Sequence, residues 1–179
     1  MQGQIGENQG WDSEFLDELA LRRQGGGKHL LILACSSRKH TIMGDVTAWD
    51  LYDGIAFRGV KKAQRETWFP NDVDILILSA KHGLIHPTRK ITFYDQQMTR
   101  VLAACQAVHN CAFLRRFLRT RSYMEVFVNA GQTYLTALQP IETWLPHGIT
   151  LTVASGGIGR KMQQMKAWLL SKSRCQTTM

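Results

Sequence analysis

Four short apolar runs, at residues 29–34, 73–78, 124–128 and 149–154, recur along the 179-residue chain, and they constrain its fold more than any other feature. Each is rich in Ile, Leu, Val or Phe and is bounded by turn-forming residues, the pattern of a buried strand. Helix-length segments lie between them. Residues 47–67 predict a helix broken near Gly54, and residues 95–119 a long helix with an apolar stripe. Residues 132–144 predict a helix interrupted at Pro140, and residues 159–171 a last one. Parallel strands need crossovers of about this length. The alternation therefore predicts an α/β fold, a four-stranded parallel sheet flanked by helices on both faces.

The chain is long enough for one domain with a full core. It divides at Gly25-Gly26-Gly27, which reads as a hinge. Residues 1–27 form an N-terminal arm with a short amphipathic piece at 11–23, and residues 28–179 form a single α/β domain. The apolar runs are too short to cross a bilayer, and the polar, Gly/Gln-rich start has no leader pattern. A cytoplasmic protein without a membrane partner is expected. The cysteines Cys35, Cys105, Cys111 and Cys175 include no CxxC pair. Zinc spacing is thus absent and a disulfide framework is not expected. Nothing in the sequence calls for a metal or cofactor.

The net charge of +8 is distributed unevenly. From Val101 onward nine Lys and Arg face two acids, whereas the first hundred residues hold thirteen basic and twelve acidic side chains. A one-sided basic surface is the footprint of a polyanion, most often nucleic acid. DNA is the expected partner, with RNA an alternative.

In open α/β sheets ligands bind at the carboxyl ends of the strands. After the first predicted strand come Cys35, Ser36, Ser37, Arg38, Lys39 and His40, two hydroxyls and two cations able to hold a phosphate or a base edge. After the second come Ser79, Ala80, Lys81, His82 and Gly83. Lys81 suits an anion or, desolvated, an amine nucleophile, and His82 suits a structural or a catalytic role. Tyr94-Asp95 follow, with Asp95 placed either to cap the long helix or to aim a carboxylate into a cleft. After the third strand, Asn129 and Gln132 carry carboxamides fit to read a nucleobase edge; an Asn there also suits a turn. After the fourth, Ser155, Gly156, Gly157, Gly159, Arg160 and Lys161 open the last helix as a Gly-rich phosphate or DNA contact. The spacing is not that of a Walker A loop.

The segments ILACSSRK, LYDG with FR, LILSAKHGLI and YD, spanning Leu30 to Asp95, resemble a bacterial and phage-associated family. Its pattern runs Cys-Ser-x-x-Lys, Leu-Tyr-x-Gly, Leu-Ser-Ala-Lys-Tyr-Gly-Leu and Tyr-Asp. His82 stands where that family usually has Tyr. The family is similar to a domain of archaeosine synthases, the tRNA 7-deazaguanine-modifying enzymes, and to the uracil-DNA-glycosylase-like fold group. The resemblance implies a four-stranded parallel sheet and work on a nucleobase. The Gln-Asp-Pro-Tyr and His-Pro-Ser-Pro segments of uracil-DNA glycosylase are absent, and His86-Pro87 is not the latter.

Together these features suggest a hydrolase, a DNA glycosylase that flips a modified base from DNA and leaves an abasic site. Relatives of this kind act in antiphage defence by removing hypermodified bases such as glucosylated hydroxymethylcytosine. Asp95, or else Asp53, would stabilise the oxocarbenium-like sugar or orient water. Lys81 and Ser36 would assist the leaving group or a phosphate, and Tyr52 or Tyr94 would stack on the base. A tRNA deazaguanine-modifying enzyme and a non-catalytic nucleic-acid-binding protein are the alternatives.

Overall fold

The computed structural model describes residues 29–174. The predicted arm at 1–27 lies outside the described residues. The four expected strands form as β1 (His29–Ala34), β3 (Val73–Ser79), β6 (Glu125–Asn129) and β7 (Thr150–Val153), all mutually parallel. The sheet has five strands rather than four. A short β4 (Gly83–Ile85) turns back on β3 and pairs antiparallel at the edge, giving the order β4-β3-β1-β6-β7. Three residues headed by a glycine carry no periodicity, so this strand has no local signature. Gly83 adopts φ +68°, a conformation open to glycine. A Cβ there would also strike the Asn110 side chain. A separate two-stranded ribbon joins β2 (Val46–Thr47) to β5 (Lys90–Ile91).

Six helices complete the described fold: α1 (Ala48–Leu51), α2 (Ile55–Arg65), α3 (Arg100–Leu118), α4 (Gln132–Thr136), α5 (Ile141–Trp144) and α6 (Ile158–Arg174). The break expected near Gly54 separates α1 from α2. It arises because Gly54 packs directly on Ser36, leaving no room for a side chain. The long helix begins later than the sequence predicts. Thr99, not Asp95, caps it, accepting the Leu102 N–H at 3.2 Å.

Alternation along each strand sends successive side chains to opposite faces, and both faces are covered. Leu31, Leu33, Ile75, Ile77 and Phe127 pack with Phe57 and Val60 of α2 and Met165, Trp168 and Leu169 of α6. Leu30, Ile32, Leu76, Leu78, Val126 and Val128 pack with α3, α4 and α5 through Ala103, Leu114, Phe117, Ala137 and Ile141. Each fully buried Leu or Ile contributes about 1.5–3 kcal/mol of transfer free energy. No helix among the described residues is long and apolar enough to cross a membrane.

This layering corrects the expected one-sided basic surface. The basic residues of α3 and α6 lie on opposite faces of the sheet, because the two helices cover opposite layers. Two of the nine basic residues from Val101 onward are also seen in ion pairs among the described residues. Arg121 pairs with Asp74 at 2.9 Å, and Lys172 pairs with Glu125 at 2.5 Å.

Candidate functional site

The carboxyl ends of β1 and β3 converge on a set of buried polar side chains. Ser79 is the last residue of β3 and shares the face of Ile75 and Ile77. Its Oγ accepts the N–H groups of Lys81 (3.2 Å) and His82 (3.1 Å), which sets the tight turn into β4. The same oxygen meets the hydroxyls of Tyr94 at 2.8 Å and Tyr52 at 3.2 Å, and the two phenols meet each other at 2.5 Å. Tyr52 arrives from the end of α1, and Tyr94 from the segment that leads into α3. Three hydroxyls from three parts of the chain thus close a triangle.

Cys35 sits beside this triangle, one residue beyond β1. Its Sγ is 3.1 Å from the Tyr134 hydroxyl and accepts the Ala80 N–H at 3.4 Å. Burial first, and then the nearby Cys35 sulfur, pushes Tyr94 up to about 12 and Tyr52 well above the ordinary phenol range. Tyr134 is raised too, by burial first and then by its bond with Cys35. All three phenols therefore keep their protons at neutral pH, and their hydroxyls bond to one another, to Ser79 and to Cys35 as neutral groups rather than phenolates.

Cations and an imidazole surround the Tyr94 ring. Lys39 Nζ is 4.6 Å and Lys81 Nζ 5.6 Å from its centroid, and the His82 ring meets it edge-on at 5.4 Å. Burial, then Arg89 and Lys81, lowers the His82 pKa to about 4, so its imidazole is neutral at physiological pH. Its Nε2 is buried without a hydrogen-bond partner.

The remaining sequence candidates are placed as follows. Ser36 donates to the Arg38 carbonyl at 2.5 Å, and Ser37 is exposed. Asp53 is taken up by Arg38 at 3.0 Å and faces His40 at 3.7 Å, so it braces the loop after β1. Asp95 is exposed, next in the chain to Tyr94. Asn129 is not brought to the triangle; its Nδ2 turns to the sulfurs of Met165 (3.3 Å) and Met162 (3.9 Å). Gln132 is exposed at the start of α4. In the Gly-rich loop, Gln164 holds both the N–H and the carbonyl of Ser155, and Lys161 donates to the Ala130 carbonyl at 2.7 Å. Gly156 takes φ +86°, where a Cβ would press on Arg160, while Gly157, Gly159 and Arg160 are exposed. That loop is closed on itself by side chains rather than left open as a cradle.

Three contributors carry no motif of their own. Tyr134 lies just inside α4 and reaches back to Cys35; its only sequence signal is its nearness to a strand end. Gln106 donates to the Ala80 carbonyl at 2.8 Å. Asn110 accepts the Leu84 N–H at 2.9 Å and donates to the Ala137 carbonyl at 3.0 Å. Both fix the β3–β4 turn from α3, a contact visible only once the helix is docked. Among the described residues no three His, Cys, Asp or Glu side chains converge to hold a metal ion.

No curated protein matches this chain. Among solved structures, the crystal structure of AF0587, a protein of unknown function, is similar with a TM-score of 0.46 and 11% identity. The match covers 80% of this chain and 44% of that one, so this chain spans less than half of that protein's length. The residues that build the strand-end cluster all fall within 30–167, the span matched by one family, and over that span the chain belongs to the family of unknown function DUF6884.

Proposed function

We propose that this protein is a DNA glycosylase that hydrolyses the N-glycosidic bond of a modified nucleobase. One observation carries the reading: a protonated Tyr52–Ser79–Tyr94 cluster, flanked by Lys39 and Lys81, stands at the carboxyl end of a mostly parallel sheet. Hydroxyl donors in a desolvated pocket stabilise charge that develops on a departing base. In the reaction, water adds to C1′ of the deoxyribose as the C1′–N bond breaks. The bonding electrons leave with the base, which takes up a proton. Asp95 orients the water, because Asp53 is held by Arg38. Lys81 and His82 stand with Tyr94 where the base would be received, and in this reading the sheet belongs with the uracil-DNA-glycosylase-like group. The motifs between Leu30 and Asp95 resemble a family similar to a domain of archaeosine synthases, and that resemblance supports a nucleobase substrate. In this reading the protein works in the cytoplasm, and its target is the hypermodified cytosine of phage DNA.

The test is incubation with phage DNA carrying glucosylated hydroxymethylcytosine, beside unmodified DNA and tRNA, with released base and abasic sites read by mass spectrometry. Release from the modified DNA alone is expected, and Asp95→Asn abolishes it. Activity on tRNA instead shifts the assignment to RNA modification. Tight DNA binding with no release from any substrate replaces the enzyme with a binding module.

A further inference from the structure

The two ammonium groups around Tyr94 lie no further apart than the sum of their distances from its ring, 4.6 and 5.6 Å. Neither has an ion-pair partner among the described residues. Arg38, next in the chain to Lys39, is paired with Asp53 at 3.0 Å, and at the other end of the sheet Arg121 and Lys172 have carboxylates of their own. The third basic group near Tyr94, His82, is neutral, and the tyrosines beneath are protonated. Two like charges therefore lie about one ring, neither with an ion-pair partner among the described residues.

Both lysines stand on fixed backbone. Lys39 pairs with Tyr52 in an antiparallel bridge, and its loop is backed by Gly54 pressed against Ser36. Lys81 lies in a turn whose amide is held by Ser79. Convergent positive groups held in place ahead of binding are the arrangement that captures an anion with little ordering cost. Aromatic faces attract ammonium ions.

We propose that Lys39 and Lys81 form a phosphate clamp that grips the nucleic-acid backbone beside the Tyr94 ring, above the Tyr52–Ser79–Tyr94 cluster. This rests on the nucleobase reading given above, and it assigns the phosphate contact to this pair rather than to the Gly-rich loop at Ser155–Lys161. In that loop Gln164 already holds the Ser155 N–H, and Lys161 is committed to the Ala130 carbonyl.

The test compares the full chain with Lys39→Gln/Lys81→Gln, Lys39→Arg/Lys81→Arg, Arg160→Gln and, as a surface control, Lys166→Gln. A fluorescent single-stranded oligonucleotide is titrated over a range of salt, and inorganic phosphate and a nucleoside monophosphate serve as competitors. Each phosphate contact on a single strand contributes about 0.7 to the slope of log affinity against log salt. The Gln pair is expected to weaken binding at least tenfold at low salt and to flatten the slope by about 1.4, two contacts' worth. The Arg pair restores both, which rules out misfolding as the cause, and Lys166→Gln changes neither. An unchanged slope in the Gln pair, or an equal loss in Arg160→Gln, overturns the clamp. Lysine-dependent binding of phosphate or mononucleotide with no lysine-dependent oligonucleotide binding also overturns it, since the ligand is then a small phosphate. Base release with an unchanged slope removes the clamp and keeps the glycosylase. A flattened slope without base release keeps the clamp and removes the glycosylase.

Discussion

The two ends of the sheet differ in how the groups nearest the strands are neutralised. At the amino end, carboxylates meet basic side chains. His29 lies between Asp72 (3.7 Å) and Glu125 (3.8 Å), and Lys172 closes on Glu125. Asp74 takes the Arg121 guanidinium through both oxygens and accepts the Tyr123 hydroxyl at 2.7 Å. At the carboxyl end, Lys39 and Lys81 face neutral hydroxyls and a neutral imidazole. The amino end also opens a cleft of about 580 Å³, lined by Trp49, Phe69, Pro87, Asp74 and Arg121. Its volume is not a mark of function, because the strongest polar groups in its wall satisfy each other. The proposed chemistry is assigned to the other end, where buried hydroxyls converge beside Lys39 and Lys81.

The sharpest way to break this contrast is Asp74→Ala. Arg121 has a side chain only 6% exposed, and the substitution strands that charge in the interior. We expect a loss of about 3–5 kcal/mol in chemical denaturation, while folded molecules retain their oligonucleotide affinity. Reduced affinity per folded molecule would mean that the two ends are coupled.

Ser79→Ala tests the carboxyl end. It removes the acceptor for two turn amides and the hydroxyl that joins Tyr52 to Tyr94. Stability falls by about 1–3 kcal/mol, the cost of stranding buried polar groups, and base release is lost altogether. Retained turnover would show that the hydroxyl cluster is only structural.

The smallest expected effect comes from acid. His82 titrates near 4 in the folded chain against an ordinary 6.5. Between those values the unfolded state takes up a proton that the folded state refuses. Stability is therefore unaffected above about pH 6.5, declines as pH falls toward 4, and levels off below it. His82→Phe should flatten this part of the profile in denaturation curves measured across the window. An unchanged profile would assign the acid sensitivity to the carboxylates of the amino end.

Much of the fold is legible in the sequence because its signals are local. The run at 29–34 coincides with β1, and those at 73–78, 124–128 and 149–154 lie within one residue of β3, β6 and β7 at each end. Period-two burial against two helical layers requires such runs. The start of α3 was misplaced by five residues, since Asp95 and Thr99 are both capable caps and only the docking of Tyr94 into the cluster draws residues 95–99 away from the helix. Strand β4 was missed because pairing, not pattern, defines a three-residue edge strand.

The chain alone thus determined the layered α/β architecture and the polar cargo at the ends of its strands, through hydrophobic periodicity and turn chemistry. Tertiary structure decided which of that cargo meets. It turned Asn129 toward Met162 and Met165, engaged Asp53 with Arg38, brought Tyr134 to Cys35, and divided the basic residues of α3 and α6 between two faces. The reason is physical: a side chain's direction and its ion-pair partner depend on neighbours far away in the chain, and no local pattern encodes that distance.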